Sequence, residues 1–155
     1  MMKEVVISIN STFAFDEGEE QRMEFTTDGH YFYEDEVGCL SYEESPVTGL
    51  EGTRTSLFVM PDQVVVDREG TVTSRMIFKE GLKSAFQYAT PFGSANLGIN
   101  TRRIVQNMGQ NGGSVRIDYV VDMEHVVEID YVVDMEHMVA SRNRFEITVT
   151  EIPPQ

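Results

Sequence analysis

The sequence predicts an all-β protein, a sandwich or barrel of short antiparallel strands. Three observations carry this. Apolar residues recur at every second position, as in Val5, Ile7 and Ile9 and in Leu57 and Val59. Turn formers interrupt these runs at short intervals, for example Pro61-Asp62, Gly70 and Gly81. The 3.6-residue period of an amphipathic helix is almost absent, and only Thr101–Met108 offers a short helical candidate.

Taken in order, Lys3–Asn10 alternates apolar and polar residues and reads as the first strand. Asp16–Arg22 is a polar loop. Met23 and Phe25 open a second strand, with a turn expected at Asp28-Gly29. His30–Ser45 reads as two strands around Glu34–Gly38, and Pro46–Gly52 as a connection rich in turn formers. Thr53–Met60 is a strand with Thr53, Thr55, Leu57 and Val59 on one face. Gln63–Gly70 and Thr71–Gly81 follow as two more, then Lys83–Gly93 and Ala95–Gly113. Arg142–Glu151 ends the pattern, and no linker marks a domain boundary within residues 1–155.

Ile117–His125 and Ile129–His137 are the same nine residues, twelve positions apart. A helix turns about 100° per residue, so that offset would swing the second copy's apolar face about 120° away from the first. A strand alternates sides, and twelve is even, so both copies keep their faces. Val115, Ile117, Tyr119, Val121 and Met123 continue on the same side as Val127, Ile129, Tyr131, Val133 and Met135. Asp118, Asp122, Glu124, Glu128, Asp130, Asp134 and Glu136 take the other side. The segment 117–137 therefore reads as a half-buried strand written twice. From Val115 to Val139 it would span about 80 Å at ~3.3 Å per residue, whereas globular strands rarely exceed about ten residues. One copy completes a sheet and the other is surplus. The surplus copy can extend as an arm, fold back, loop out, or pair with another chain and make a homo-oligomer.

The chain carries 26 acidic and 12 basic residues, a net charge of −14. That field repels phosphate backbones and anionic lipid surfaces, which speaks against nucleic-acid and membrane partners. Cys39 is the single cysteine, and with three histidines it offers a poor zinc ligand set. The first residues lack the apolar run of a signal peptide, and no stretch has the length of a membrane helix. A cytoplasmic protein is the expectation. No nucleophile–base pairing or phosphate loop stands out, so we expect neither catalysis nor a cofactor. His30 sits beside the expected turn, and His125 and His137 are copies of one position.

The strands also carry specific motifs: SYEES…TGLEGTRT at Ser41–Thr55, TPFG at Thr90–Gly93 and SRNRFEI at Ser141–Ile147. In these, and in order along nearly the whole chain, the sequence resembles the YwiB-like family of small bacterial proteins of unknown function. The resemblance implies a single antiparallel lipocalin-like (calycin-type) barrel of about eight to ten strands. It also implies a cytoplasmic setting. The family pattern passes from this strand straight through a hairpin into MVASRNRFEITV, so the second copy resembles an insertion on a complete barrel.

A barrel of that kind points alternate side chains inward. If Leu40 faces in, so do Tyr42 and Glu44; Leu57 brings Thr53 and Thr55; Val64 and Val66 bring Arg68; and Phe86, Tyr88 and Thr90 share a face. Tyr42, Glu44, Thr53, Thr55, Arg68 and Tyr88 thus form the candidate ligand-binding set. An inward charge is expensive unless paired, and a Glu44–Arg68 ion pair would settle it structurally. The functional reading is non-catalytic binding of a small, partly apolar molecule. The competing readings are an interaction or self-association module with a filled core and an exposed strand edge, and, more weakly, an enzyme acting on a substrate held in the barrel.

Overall fold

The computed structural model describes residues 2–14, 20–46, 50–91, 93–123 and 141–152. Among the described residues, ten strands form one antiparallel sheet. They are β1 (Lys3–Ala14), β2 (Gln21–Glu34), β3 (Val37–Glu43), β4 (Thr53–Val59), β5 (Val64–Gly70), β6 (Ser74–Phe78), β7 (Lys83–Thr90), β8 (Gly93–Gln106), β9 (Gly112–Met123) and β10 (Ser141–Glu151). The order across the sheet is β6-β5-β4-β3-β2-β1-β10-β9-β8-β7, so every strand lies beside its neighbours in sequence. β1 pairs with β10, from Val5 opposite Glu151 to Ala14 opposite Arg142. The sheet curls until its two ends meet. There Thr73 and Ala89 exchange both backbone hydrogen bonds, at 2.9 and 3.0 Å. The seam is otherwise thin: Ser84 Oγ donates to the Ile77 carbonyl at 3.1 Å. The architecture is the up-and-down barrel of lipocalin-like type.

Alternation accounts for the core. Val5, Ile7 and Ile9 of β1 point in with Ile147 and Val149 of β10 and Val115 and Ile117 of β9. Leu40, Leu57, Val64, Val66, Met76 and Phe78 cover the opposite wall. The first copy of the duplicated stretch supplies β9 as far as Met123, with Ile117 inward and Asp118 outward as its period demands. The second copy lies outside the described residues.

Two expectations fail, each for a tertiary reason. Asp28-Gly29 is not a turn; β2 runs through it, and His30 is a mid-strand residue facing outward. A Cβ at position 29 would collide with Ile7 Cδ1 and the Ser41 carbonyl, so glycine is there for close approach and not for bending. The reversal comes later, at Asp35-Glu36, where both residues have positive φ (52° and 64°), as the tight hairpin between β2 and β3 requires. The helical candidate Thr101–Met108 is also wrong, since Thr101–Gln106 belongs to β8. A bulge there sets Thr101 opposite Tyr119 and Arg103 opposite Asp118, leaving Arg102 as the extra residue. The bulge shifts the inward parity, so Thr101 and then Ile104 both face the core. That broken alternation is what imitates a helical period.

Candidate functional site

The strand registers place one transverse polar row on the inner wall. Tyr42 of β3 lies opposite Thr55 of β4, Thr55 opposite Arg68 of β5, and Arg68 opposite Ser74 of β6. All four side chains take the inward parity of their strands. Gly29 makes room at the head of the row, because the Tyr42 Cβ sits 3.3 Å from where a residue 29 Cβ would be. The next row along the barrel, Leu40–Leu57–Val66–Met76, is wholly apolar.

Within the polar row the partners are unequal. Thr55 Oγ1 donates to Glu44 Oε1 at 2.7 Å, a short charge-assisted bond buried at both ends. Thr53 Oγ1 accepts from the Val72 amide at 3.1 Å, which ties the start of β4 to the β5–β6 turn. Among the described residues, the Arg68 guanidinium has as hydrogen-bond partner the Met76 thioether, with Nη1 3.6 Å from the sulfur. Thioether sulfur is a weak acceptor. Arg68 Nε is buried without a partner, and so are Ser74 Oγ beside it and Thr101 Oγ1. Thr101 lies opposite Tyr119 in the β8–β9 ladder, and the Tyr119 ring packs edge-on against Phe78 at 4.8 Å.

Electrostatics tie these groups together. Burial pushes the Tyr42 phenol well above its usual pKa; the Glu44 carboxylate raises it further, and the Arg68 cation opposes both. Burial likewise raises Tyr119, again opposed by Arg68. Both phenols are thus neutral at ordinary pH, and both feel the same guanidinium.

Of the six residues predicted from sequence, the structure brings Tyr42, Glu44, Thr55 and Arg68 into one cluster, with Thr53 at its edge. Tyr88 stands apart. It lies on β7 beyond the seam, half-buried against the core, and among the described residues no hydrogen bond joins it to the row. Ser74, Thr101 and Tyr119 were not in the predicted set. Tyr119 was visible on the inward stripe of β9. Thr101 was hidden by the bulge, and Ser74 becomes significant only through its register with Arg68.

The outer surface has clefts of its own. One of about 630 Å3 runs over β2, β1, β10, β9 and β8 and collects Arg22, Arg102, Arg142 and Arg144. Acidic neighbours offset them: Arg144 Nε donates to Asp118 at 2.7 Å and Arg22 lies 3.8 Å from Glu24. A second cleft, about 370 Å3, exposes Cys39, whose thiol pKa is raised by partial burial and by Glu34.

An up-and-down β-barrel with a polar row across one inner wall is the class of protein these features define. Residues 7–135 match the family described as Domain of unknown function (DUF1934), and the chain belongs to that family. It is 29% identical over 104 residues to the "Uncharacterized beta-barrel protein YwiB" of Bacillus subtilis (strain 168), covering 67% of this chain and 72% of that one. The crystal structure of the ywiB protein from Bacillus subtilis superposes with a TM-score of 0.79 at 22% identity, over 98% of this chain and 94% of the other. That likeness fixes the barrel fold. No helix among the described residues is long and apolar enough to cross a membrane.

Proposed function

We propose that this is a cytoplasmic protein that binds a small, partly apolar molecule inside its barrel without transforming it. One observation supports this above the others. Three polar atoms on inward-facing residues, Arg68 Nε, Ser74 Oγ and Thr101 Oγ1, are buried without hydrogen-bond partners; Arg68 and Ser74 lie opposite each other on β5 and β6, and Thr101 lies on β8. A buried polar atom left unpaired costs about 1–3 kcal/mol, so such groups favour a bound molecule that satisfies them. No histidine or cysteine among the described residues joins the cluster, which favours binding over nucleophilic catalysis.

Native mass spectrometry of the full chain, purified gently from cells, tests the proposal. We expect a mass increment that disappears on denaturation. A bare chain that also takes up no apolar probe would overturn it.

A second reading is self-association at the β6–β7 seam, where Ile77 and Leu82 are exposed and the Ile77 carbonyl accepts from Ser84 Oγ. Light scattering after size exclusion tests it. A clean monomer across a range of concentrations would dismiss it.

A further inference from the structure

Resting on the interior-binding reading above, we infer that the ligand carries a compact anionic oxygen head, of the carboxylate class, seated against Arg68 between Tyr42 and Tyr119. The strand registers put Arg68 and Ser74 in one inward row, and Thr101 faces inward from β8. Arg68 projects from the middle of the row between Thr55 and Ser74. Its Nε is unpartnered, and its Nη1 rests on a thioether that a carboxylate oxygen would readily replace. A guanidinium presents a planar fork of N–H groups that matches two carboxylate oxygens, which a neutral amide or alcohol head cannot equal. Ser74 Oγ and Thr101 Oγ1 add two hydroxyls able to donate.

The other charged group of the cluster, Glu44, already accepts from Thr55 at 2.7 Å just past the end of β3. It lies near enough to Tyr42 to raise that phenol's pKa, while Arg68 lowers it. An incoming anion at Arg68 would meet the cation and neutral phenols, with Glu44 as the one like charge of the cluster. The apolar body of the molecule would lie against Phe78, Phe86 and Ile99, which belong to the buried core.

The test uses the full chain and a neutral fluorescent reporter, N-phenylnaphthylamine, displaced by either decanoate or decanol. These two competitors share a tail and differ in the head. We expect decanoate to displace the reporter at a concentration about tenfold or more below that of decanol. We expect Arg68→Met to abolish that preference while still binding the reporter. Arg68→Gln serves the same comparison where Arg68→Met does not fold. Equal displacement by the two competitors, or a preference that survives the Arg68 change, overturns the anionic-head inference and leaves the interior-binding reading standing. A reporter that does not bind the wild-type chain at all overturns both.

Discussion

Across β1, β10 and β9 the barrel presents Ile9, Ile147 and Val115 side by side, at 3%, 0% and 0% exposure. Across β3, β4, β5 and β6 it presents Tyr42, Thr55, Arg68 and Ser74 at equivalent inward positions. Both walls obey the same alternation and the same antiparallel ladder. They differ in what burial does. On the first wall it is uniformly favourable, at roughly 25 cal/mol per Å2 of apolar surface removed from water. On the second it desolvates a guanidinium, a carboxylate and several hydroxyls, of which only some find partners. The difference teaches that one alternation rule builds both walls, while only the polar wall has to offset the desolvation of its inward groups with hydrogen bonds.

The comparison can be broken most sharply on the apolar wall. Ile147→Ala should lose about 3 kcal/mol of unfolding free energy in urea, because the side chain is fully buried between Ile9 of β1 and Val115 of β9. A loss under about 1 kcal/mol would mean that this wall is not the rigid half of the molecule. On the polar wall, Thr55→Ala should cost about 2 kcal/mol, since it strips the buried Glu44 carboxylate of its 2.7 Å donor. If it is silent in the same unfolding assay, Glu44 does not depend on that hydroxyl.

Alkaline pH probes both walls at once. Burial, with smaller contributions from Tyr33 and Cys39, lifts the Tyr31 phenol from 10.0 to about 12. Its hydroxyl donates to the Gly109 carbonyl at 2.6 Å, so it holds the β8–β9 connection only while protonated. A folded pKa above the unfolded one means that the stabilisation is intact below pH 10.0 and is lost as pH climbs toward about 12. Tyr42 and Tyr119 add to the loss in the same direction. Tyrosinate absorbance should therefore show several phenols titrating late, together with the loss of β-sheet circular dichroism. Early titration of every phenol in a folded chain would contradict their burial.

Smaller effects sharpen the contrast. Arg68→Met should change stability by no more than about 1 kcal/mol, because the change removes an unpartnered buried N–H as well as a charge. A loss as large as that of Ile147→Ala would make Arg68 a structural residue. Smallest of all should be deletion of Ile117–Glu128. The second copy then supplies the same residues at every β9 position from Ile117 to Met123. The shortened chain should keep its circular dichroism and its unfolding midpoint; insolubility would show that the longer connection contributes to the fold.

Much of the barrel was legible in the chain. Side-chain alternation is a local property, so Leu57 and Val59 announced that Thr53 and Thr55 would be buried, and Val64 and Val66 announced Arg68. The even spacing of the repeat told which residues of β9 would face inward. The errors occurred where a contact from another strand overrides a local signal. Gly29 reads as a turn until Ile7 and Ser41 are seen crowding it. Thr101 reads as helical until the bulge at Arg102 is seen to reset the parity.

By itself, then, the sequence determined which side of each strand is apolar and that the fold is all-β, a sandwich or barrel, because period and turn chemistry are written residue by residue. Only the tertiary structure decided which inward groups meet. Register brings Arg68 beside Ser74 and directs Glu44 to Thr55, and register depends on how ten strands close on one another rather than on any single stretch of chain.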